Sequence, residues 1–159
     1  MSNRIKREQA TVSAGGEAGS DVVIGWVHPG DVSNGFMDSV LRTVGYDLTT
    51  GGRRIAGWNS VQCSANVSSG RNSLVEWFLD SPAQWLMMID TDMVWQADAV
   101  HRLLDAADPD AAPVVGGLCF SQEADTGRVW PTLFTLVEGE TGGADFARFD
   151  SWPADTLFP

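Results

Sequence analysis

Trp85-Leu86-Met87-Met88-Ile89-Asp90-Thr91-Asp92 is a short, wholly apolar run closed abruptly by two carboxylates flanking a threonine. A run of that length between breaks reads as a buried strand rather than a buried helix. Upstream, Val22-Val23-Ile24-Gly25-Trp26-Val27 is nearly all apolar and largely β-branched, as in a strand covered on both faces, and His28-Pro29-Gly30 breaks it. Asp31 or Ser33 can cap a helix there, and Phe36, Met37, Val40, Leu41 and Val44 recur at helical spacing to about Gly45. Gly51-Gly52 marks a loop and Ile55 to Cys63 a weaker strand. Leu74, Val75, Phe78 and Leu79 mark a second amphipathic helix, begun before Arg71 and ended near Ser81-Pro82.

Beyond the aspartates, Val100, Leu103, Leu104 and Ala107 stand at i, i+3, i+4 and i+7 on a third helix begun near Ala97-Asp98. Pro113-Val114-Val115-Gly116-Gly117-Leu118-Cys119-Phe120 reads as another buried strand, and Trp130 to Val137 as a weaker one. The alternation of strand and helix predicts an α/β domain with a mostly parallel, doubly wound sheet flanked by helices. In such sheets ligands bind beyond the carboxyl ends of the strands. His28-Pro29-Gly30, Asp90-Thr91-Asp92 and the loop after Phe120 are expected to meet there. Residues 1–20 read as a disordered polar tail, 21–137 as the domain, and 138–159 as an irregular C-terminal segment rich in Gly, Asp and Pro.

The 159 residues carry a formal charge of −11, and from residue 11 onward seven basic residues face twenty acidic ones. Such a surface repels phosphate backbones, so nonspecific nucleic-acid binding is not expected. Lys6 is the only lysine, which excludes a Walker A motif and any Schiff-base lysine in the folded part. Cys63 and Cys119 are too few for a disulfide framework or a four-ligand zinc site. They read as reduced thiols in a cytoplasmic protein with no signal peptide and no transmembrane segment.

Fifteen aspartates make a chance D-x-D triplet unremarkable, and Asp108-Pro109-Asp110 supplies an internal control, read as a solvated loop. Asp90-Thr91-Asp92 differs by the buried strand directly ahead of it. Two carboxylates at a sheet's mouth repel one another. A hard divalent cation that also takes substrate phosphates resolves the repulsion; turn and capping duty is the other reading. Arg71, near a helix start, is either an anion contact or a solvated arginine. His28 either contacts a ligand or closes a turn, and His101 reads as a surface residue on the third helix. Among the seven tryptophans, Trp26, Trp77 and Trp85 are expected in the core, while Trp95 and Trp130 are candidates for stacking on a sugar or base.

Val27-His28-Pro29-Gly30, Arg71-Asn72, Trp85 to Met93, and Pro113 to Phe120, in that order, resemble the nucleotide-sugar-binding half of GT-A-fold, family 2-like glycosyltransferases of bacteria and their phages. The resemblance covers about residues 21–137. It implies a metal-dependent transferase that moves a sugar from a UDP- or GDP-linked donor to an acceptor hydroxyl. By the same resemblance Asp92 would ligate Mn²⁺ or Mg²⁺, and Asp90 would contact the ribose or assist the metal. His28, Pro29 and Gly30 would border the nucleobase, and Arg71 and Asn72 would line the nucleotide pocket. Family members usually continue well past the point corresponding to Pro159, supplying an acceptor-side base and often a late metal-binding histidine. No histidine follows His101, and Asp145, Asp150 and Asp155 stand in no recognisable base motif. The resemblance therefore implies a donor half with a shortened acceptor half and no assigned catalytic base.

Two other readings stay open. A shortened domain of this kind could bind a nucleotide or nucleotide sugar without transferring anything. Asp90-Thr91-Asp92-Met93-Val94 also matches D-x-D-x-[T/V] and so resembles haloacid-dehalogenase-type phosphatases, in which the first aspartate is the nucleophile. Those enzymes carry the motif on their first strand and use a later lysine. Here two strand-like segments precede it and no lysine follows.

Overall fold

The computed structural model describes residues 21–50, 52–63, 66–132, 134–138 and 144–148. The polar stretch 1–20, Asp150 and Asp155 lie outside the described residues. The chain forms two compact units that divide at Arg102 and Leu103.

The first unit is a three-stranded parallel sheet in the order β2-β1-β3, formed by β1 (Val22–His28), β2 (Ile55–Gln62) and β3 (Trp85–Asp90). Strands that run the same way need crossovers, and α1 (Asn34–Thr49) and α2 (Val67–Leu79) supply them. β1 lies in the middle, and Val22 through Trp26 are all buried, which is why its sequence shows no polar alternation. Its side chains serve the two faces in turn. Trp26 meets Phe36 of α1 edge-on at 5.5 Å, while a Cβ on Gly25 would stand 3.2 Å from the methyls of Leu74 on α2. β2 forms one edge of the sheet and reads Ile-Ala-Gly-Trp-Asn-Ser-Val-Gln, half-buried throughout until exposed Gln62. β3 forms the other edge and is not the buried strand its apolar run predicts: it is only half-buried and Met88 is 40% exposed, since β1 is its one strand neighbour among the described residues. Among the described residues Phe36, Ile24, Leu74, Val22 and Val100 are the largest apolar side chains fully withdrawn from water.

The helices start where side chains can satisfy their free N–H groups. Ser33 Oγ accepts the N–H of Phe36 at 3.1 Å, and Asn66 Oδ1 accepts that of Ser69 at 3.0 Å. Ser33 rather than Asp31 is therefore the first cap. α1 runs past Gly45 to Thr49, because Gly45 keeps a negative φ and does not turn into the left-handed conformation that ends a helix. α3 (Ala99–Ala106) follows the aspartates, with Val100 and Leu104 buried as its spacing predicts.

The second unit departs from the sequence reading. Residues 113–119 form no strand, and Val114 is 90% exposed. Only β4 (Phe120–Gln122) is extended, in an antiparallel pair with β5 (Val129–Pro131). The turn between them is closed by Glu123 N–H donating to the Arg128 carbonyl, with Gly127 at φ 68° in the left-handed region. The apolar run with Gly116-Gly117 at its centre thus supplies no fourth parallel strand, because apolar content marks a strand only where a partner covers it. Trp130 to Val137 is split in two: Thr132 turns back to the Cys119 carbonyl through both its N–H and its hydroxyl, separating β5 from β6 (Phe134–Glu138). β6 pairs antiparallel with β7 (Ala144–Arg148), which lies in the stretch whose composition predicts an irregular segment. Among the described residues no helix is long and apolar enough to cross a membrane.

Candidate functional site

The acidic turn stands at the carboxyl end of β3. Asp90 is the last residue of the strand, and the N–H of Met93 donates to its carbonyl at 3.2 Å, so Thr91 and Asp92 occupy the corner of a tight turn. In the parallel register Asp90 pairs with Val27, and paired residues share a face. Val27 faces α2: a Cβ on Gly70 would stand 2.8 Å from its Cγ1 and 3.1 Å from Cys63 Sγ. Asp90 therefore points toward the helix that carries Arg71, whose Nη2 lies 2.7 Å from Asp90 Oδ1. Both side chains are about half exposed, at 47% and 59%. A pair this wet contributes at most about 1 kcal/mol to stability, so its geometry serves the site more than the fold. Asp92 is exposed and, among the described residues, has no hydrogen-bond or ion-pair partner.

The rest of the rim comes from β1, β2 and α1. The His28 carbonyl accepts the N–H of Cys63 at 2.9 Å, and the Pro29 carbonyl accepts Gln62 Nε2 at 3.2 Å. His28 Nδ1 is buried without a hydrogen-bond partner among the described residues. Pro29 and Gly30 are exposed. Ser33 Oγ, already the cap of α1, also reaches the Thr91 carbonyl at 3.2 Å and fixes that helix start beside the acidic turn. The first turns of α1 and α2 contain no acidic residue.

Of the residues read from sequence, the structure joins Arg71 to Asp90 directly and places Asp90 and Asp92 in one turn. His28, Pro29 and Gly30 are held at the end of β1 through Gln62 and Cys63. Asn72 is exposed, about 100° around the helix from Arg71, and is bonded to no described residue. Trp95 does not stand free for stacking: its indole N–H donates to Thr43 Oγ1 at 2.9 Å and its ring meets Phe36 edge-on at 5.5 Å. The Arg128 guanidinium lies 3.6 Å over the Trp130 ring, which occupies one face of that side chain.

His101 also departs from expectation. Its side chain is 12% exposed and its Nε2 lies 2.9 Å from Oδ1 of Asp47, which is 5% exposed. Asp47 accepts as well from the N–H groups of Arg54 and Ile55, at 2.8 and 3.4 Å. This cluster ties the end of α1 to the start of β2, at the opposite end of the strands from Asp90. The control triplet behaves as read: Asp108 Oδ1 accepts the N–H groups of Ala111 and Asp110, both at 2.8 Å. Those two bonds, Ala111's first, hold its carboxyl below the usual aspartate range.

Two carboxylates in one exposed turn are hard oxygen donors, too few for an all-protein cage. Among the described residues no group of three or more His, Cys, Asp or Glu side chains gathers around a common point. Such a donor set fits Mg²⁺ or Mn²⁺ of the kind that takes one or two carboxylates and completes its shell with water and substrate phosphate. Comparison with known proteins finds no matching family model, no matching curated protein and no matching solved structure.

Proposed function

We propose that the chain is a metal-dependent glycosyltransferase of GT-A type that binds a UDP- or GDP-linked sugar at the carboxyl end of its parallel sheet. The observation that carries this reading is Asp92, an exposed carboxylate without a partner among the described residues, in a strand-terminal turn whose other carboxylate is already matched to Arg71. A protein with formal charge −11 needs local positive charge to accept a diphosphate. The rim offers Arg71, the starts of α1 and α2, and two carboxylates that can hold a divalent cation.

Asp92 and Asp90 would hold Mn²⁺ or Mg²⁺, which when bound supplies Lewis-acid stabilisation of the departing nucleoside diphosphate. Arg71 neutralises Asp90 in the free protein and lies within reach of a phosphate oxygen brought to the same turn. His28, Pro29 and Gly30, at the end of β1, would border the nucleobase. No described residue is given the part of acceptor-side base. The unpaired thiols Cys63 and Cys119 suit a reducing, cytoplasmic setting.

Donor binding without transfer is the second reading. It is favoured by the composition of the site, since every rim residue with a role belongs to the donor side. The phosphatase reading loses ground: the motif closes β3, third in the chain, and the only lysine is Lys6. Incubation of the full chain with UDP- and GDP-linked sugars separates the two leading readings. Release of nucleoside diphosphate that requires Mn²⁺ or Mg²⁺ is expected of a transferase; tight donor binding with no turnover identifies a binding module.

A further inference from the structure

We infer that Trp95, held by the Ser39 and Thr43 hydroxyls of α1, is the positioning element of the acidic turn, so that cation affinity at Asp92 depends on a lock three residues away. The inference rests on the donor-binding reading for the meaning of the turn, but the lock itself is a matter of this fold alone.

Ser39 and Thr43 are 1% and 0% exposed, on the core side of α1 among Phe36 and Val40. Taking a hydroxyl out of water is unfavourable unless it is bonded, and an alanine or a valine would fill these positions without that penalty. Both hydroxyls are engaged by one residue. Ser39 Oγ accepts the main-chain N–H of Trp95 at 3.2 Å, and Thr43 Oγ1 accepts its indole N–H at 2.9 Å. Ser39 donates its own hydrogen to the Gly35 carbonyl at 2.9 Å, which turns its lone pairs toward the loop. The Trp95 ring meets Phe36 edge-on, and Phe36 meets Trp26 of β1 in the same way.

The loop is fastened upstream as well, where Ser33 Oγ reaches the Thr91 carbonyl. Between the two ties it lies tight against the first turn of α1: a Cβ on Gly35 would stand 2.9 Å from Val94 Cγ2. Residues 93–96 have no regular secondary structure. Asp92 thus sits one residue beyond one fixed point and three before the other. A loop ordered in advance need not be ordered by its ligand, so loosening it weakens binding without touching a ligating atom.

The test uses the full chain and three variants. Thr43→Val removes the acceptor while keeping the shape, Thr43→Ser keeps the hydroxyl, and Trp95→Phe removes the indole donor while keeping a ring against Phe36. Amide hydrogen exchange of residues 91–95 is measured without metal, and binding of Mn²⁺ with UDP or GDP by calorimetry. Exchange across 91–95 is expected to rise about tenfold in Thr43→Val and Trp95→Phe, with β1 amides unchanged. Mn²⁺–nucleotide affinity is expected to fall about threefold or more in both, and Thr43→Ser is expected to match wild type in both measurements. Unchanged exchange in Trp95→Phe overturns the lock. Faster exchange with undiminished affinity overturns its positioning role. Wild-type protein that binds no Mn²⁺–nucleotide overturns the donor reading and the affinity half of this inference, while exchange still decides the lock.

Discussion

Arg71 Nη2 and Asp90 Oδ1 stand 2.7 Å apart across the gap between α2 and the end of β3, the only bond either side chain makes to another described residue. The pair matches charge at the rim while leaving Asp92, two residues on, open. Its exposure separates stability from binding: Arg71→Met is expected to move the unfolding free energy by less than about 1 kcal/mol. The same variant is expected to weaken nucleoside-diphosphate binding about tenfold, as loss of a charge-assisted contact does. Denaturant melts beside calorimetry check both halves.

Asp47 should behave in the opposite way. It is buried and receives three donors, from His101, Arg54 and Ile55. Asp47→Ala strands those donors, and a loss of about 2–4 kcal/mol in unfolding free energy is expected by urea denaturation. Nucleotide affinity per folded molecule is expected to stay within twofold or so, because the cluster lies at the far end of the strands.

Gly70 lets α2 approach the ends of β1 and β2. A Cβ there would stand 2.8 Å from Val27 Cγ1, closer than side chains tolerate, and a tight 3.1 Å from Cys63 Sγ. Gly70→Ala gains helix propensity but forces both neighbours to shift, and a net destabilisation of about 1–2 kcal/mol is expected in thermal or urea melts.

Asp108 supplies a pH prediction. Its carboxylate accepts the N–H groups of Ala111 and Asp110, so its pKa in the folded chain lies below the unfolded value. The stabilisation is therefore complete above the ordinary aspartate range and is lost as pH falls through the lowered folded value. An NMR titration is expected to place the Asp108 midpoint below those of exposed aspartates, and Asp108→Ala is expected to remove that low-pH transition.

The first unit was legible because its signals are local. Val22 to Val27 and Trp85 to Ile89 are apolar runs bounded by breakers, and the helices between them carry 3.6-residue spacing, so β1, α1, β2, α2, β3 and α3 emerge in order. The acidic turn follows from its place after β3, and Arg71 was singled out by its place near a helix start. That it would reach Asp90 depends on the register that pairs Asp90 with Val27, which no local pattern encodes. Pro113 to Phe120 misled because burial is a property of partners: Val114 is as apolar as Val22, yet one is 90% exposed and the other 2%. His101 reads as a surface residue in sequence because its carboxylate partner lies 54 positions earlier. Ser39 and Thr43 look like polar breaks in an amphipathic helix. Their i, i+4 spacing on the core side, beside Phe36 and Val40, is the one sequence signal that could have pointed to a buried partner such as Trp95.

The most direct measurement is a calorimetric titration of the full chain with UDP and with GDP, in the presence and absence of Mn²⁺, on wild type and Asp92→Asn. Wild type is expected to bind one of the nucleotides only when Mn²⁺ is present, and Asp92→Asn, which keeps the turn but removes the ligating charge, to lose that dependence. Equal Mn²⁺-dependent binding by both proteins, or none by wild type, would contradict a cation-bridged diphosphate site at the end of β3.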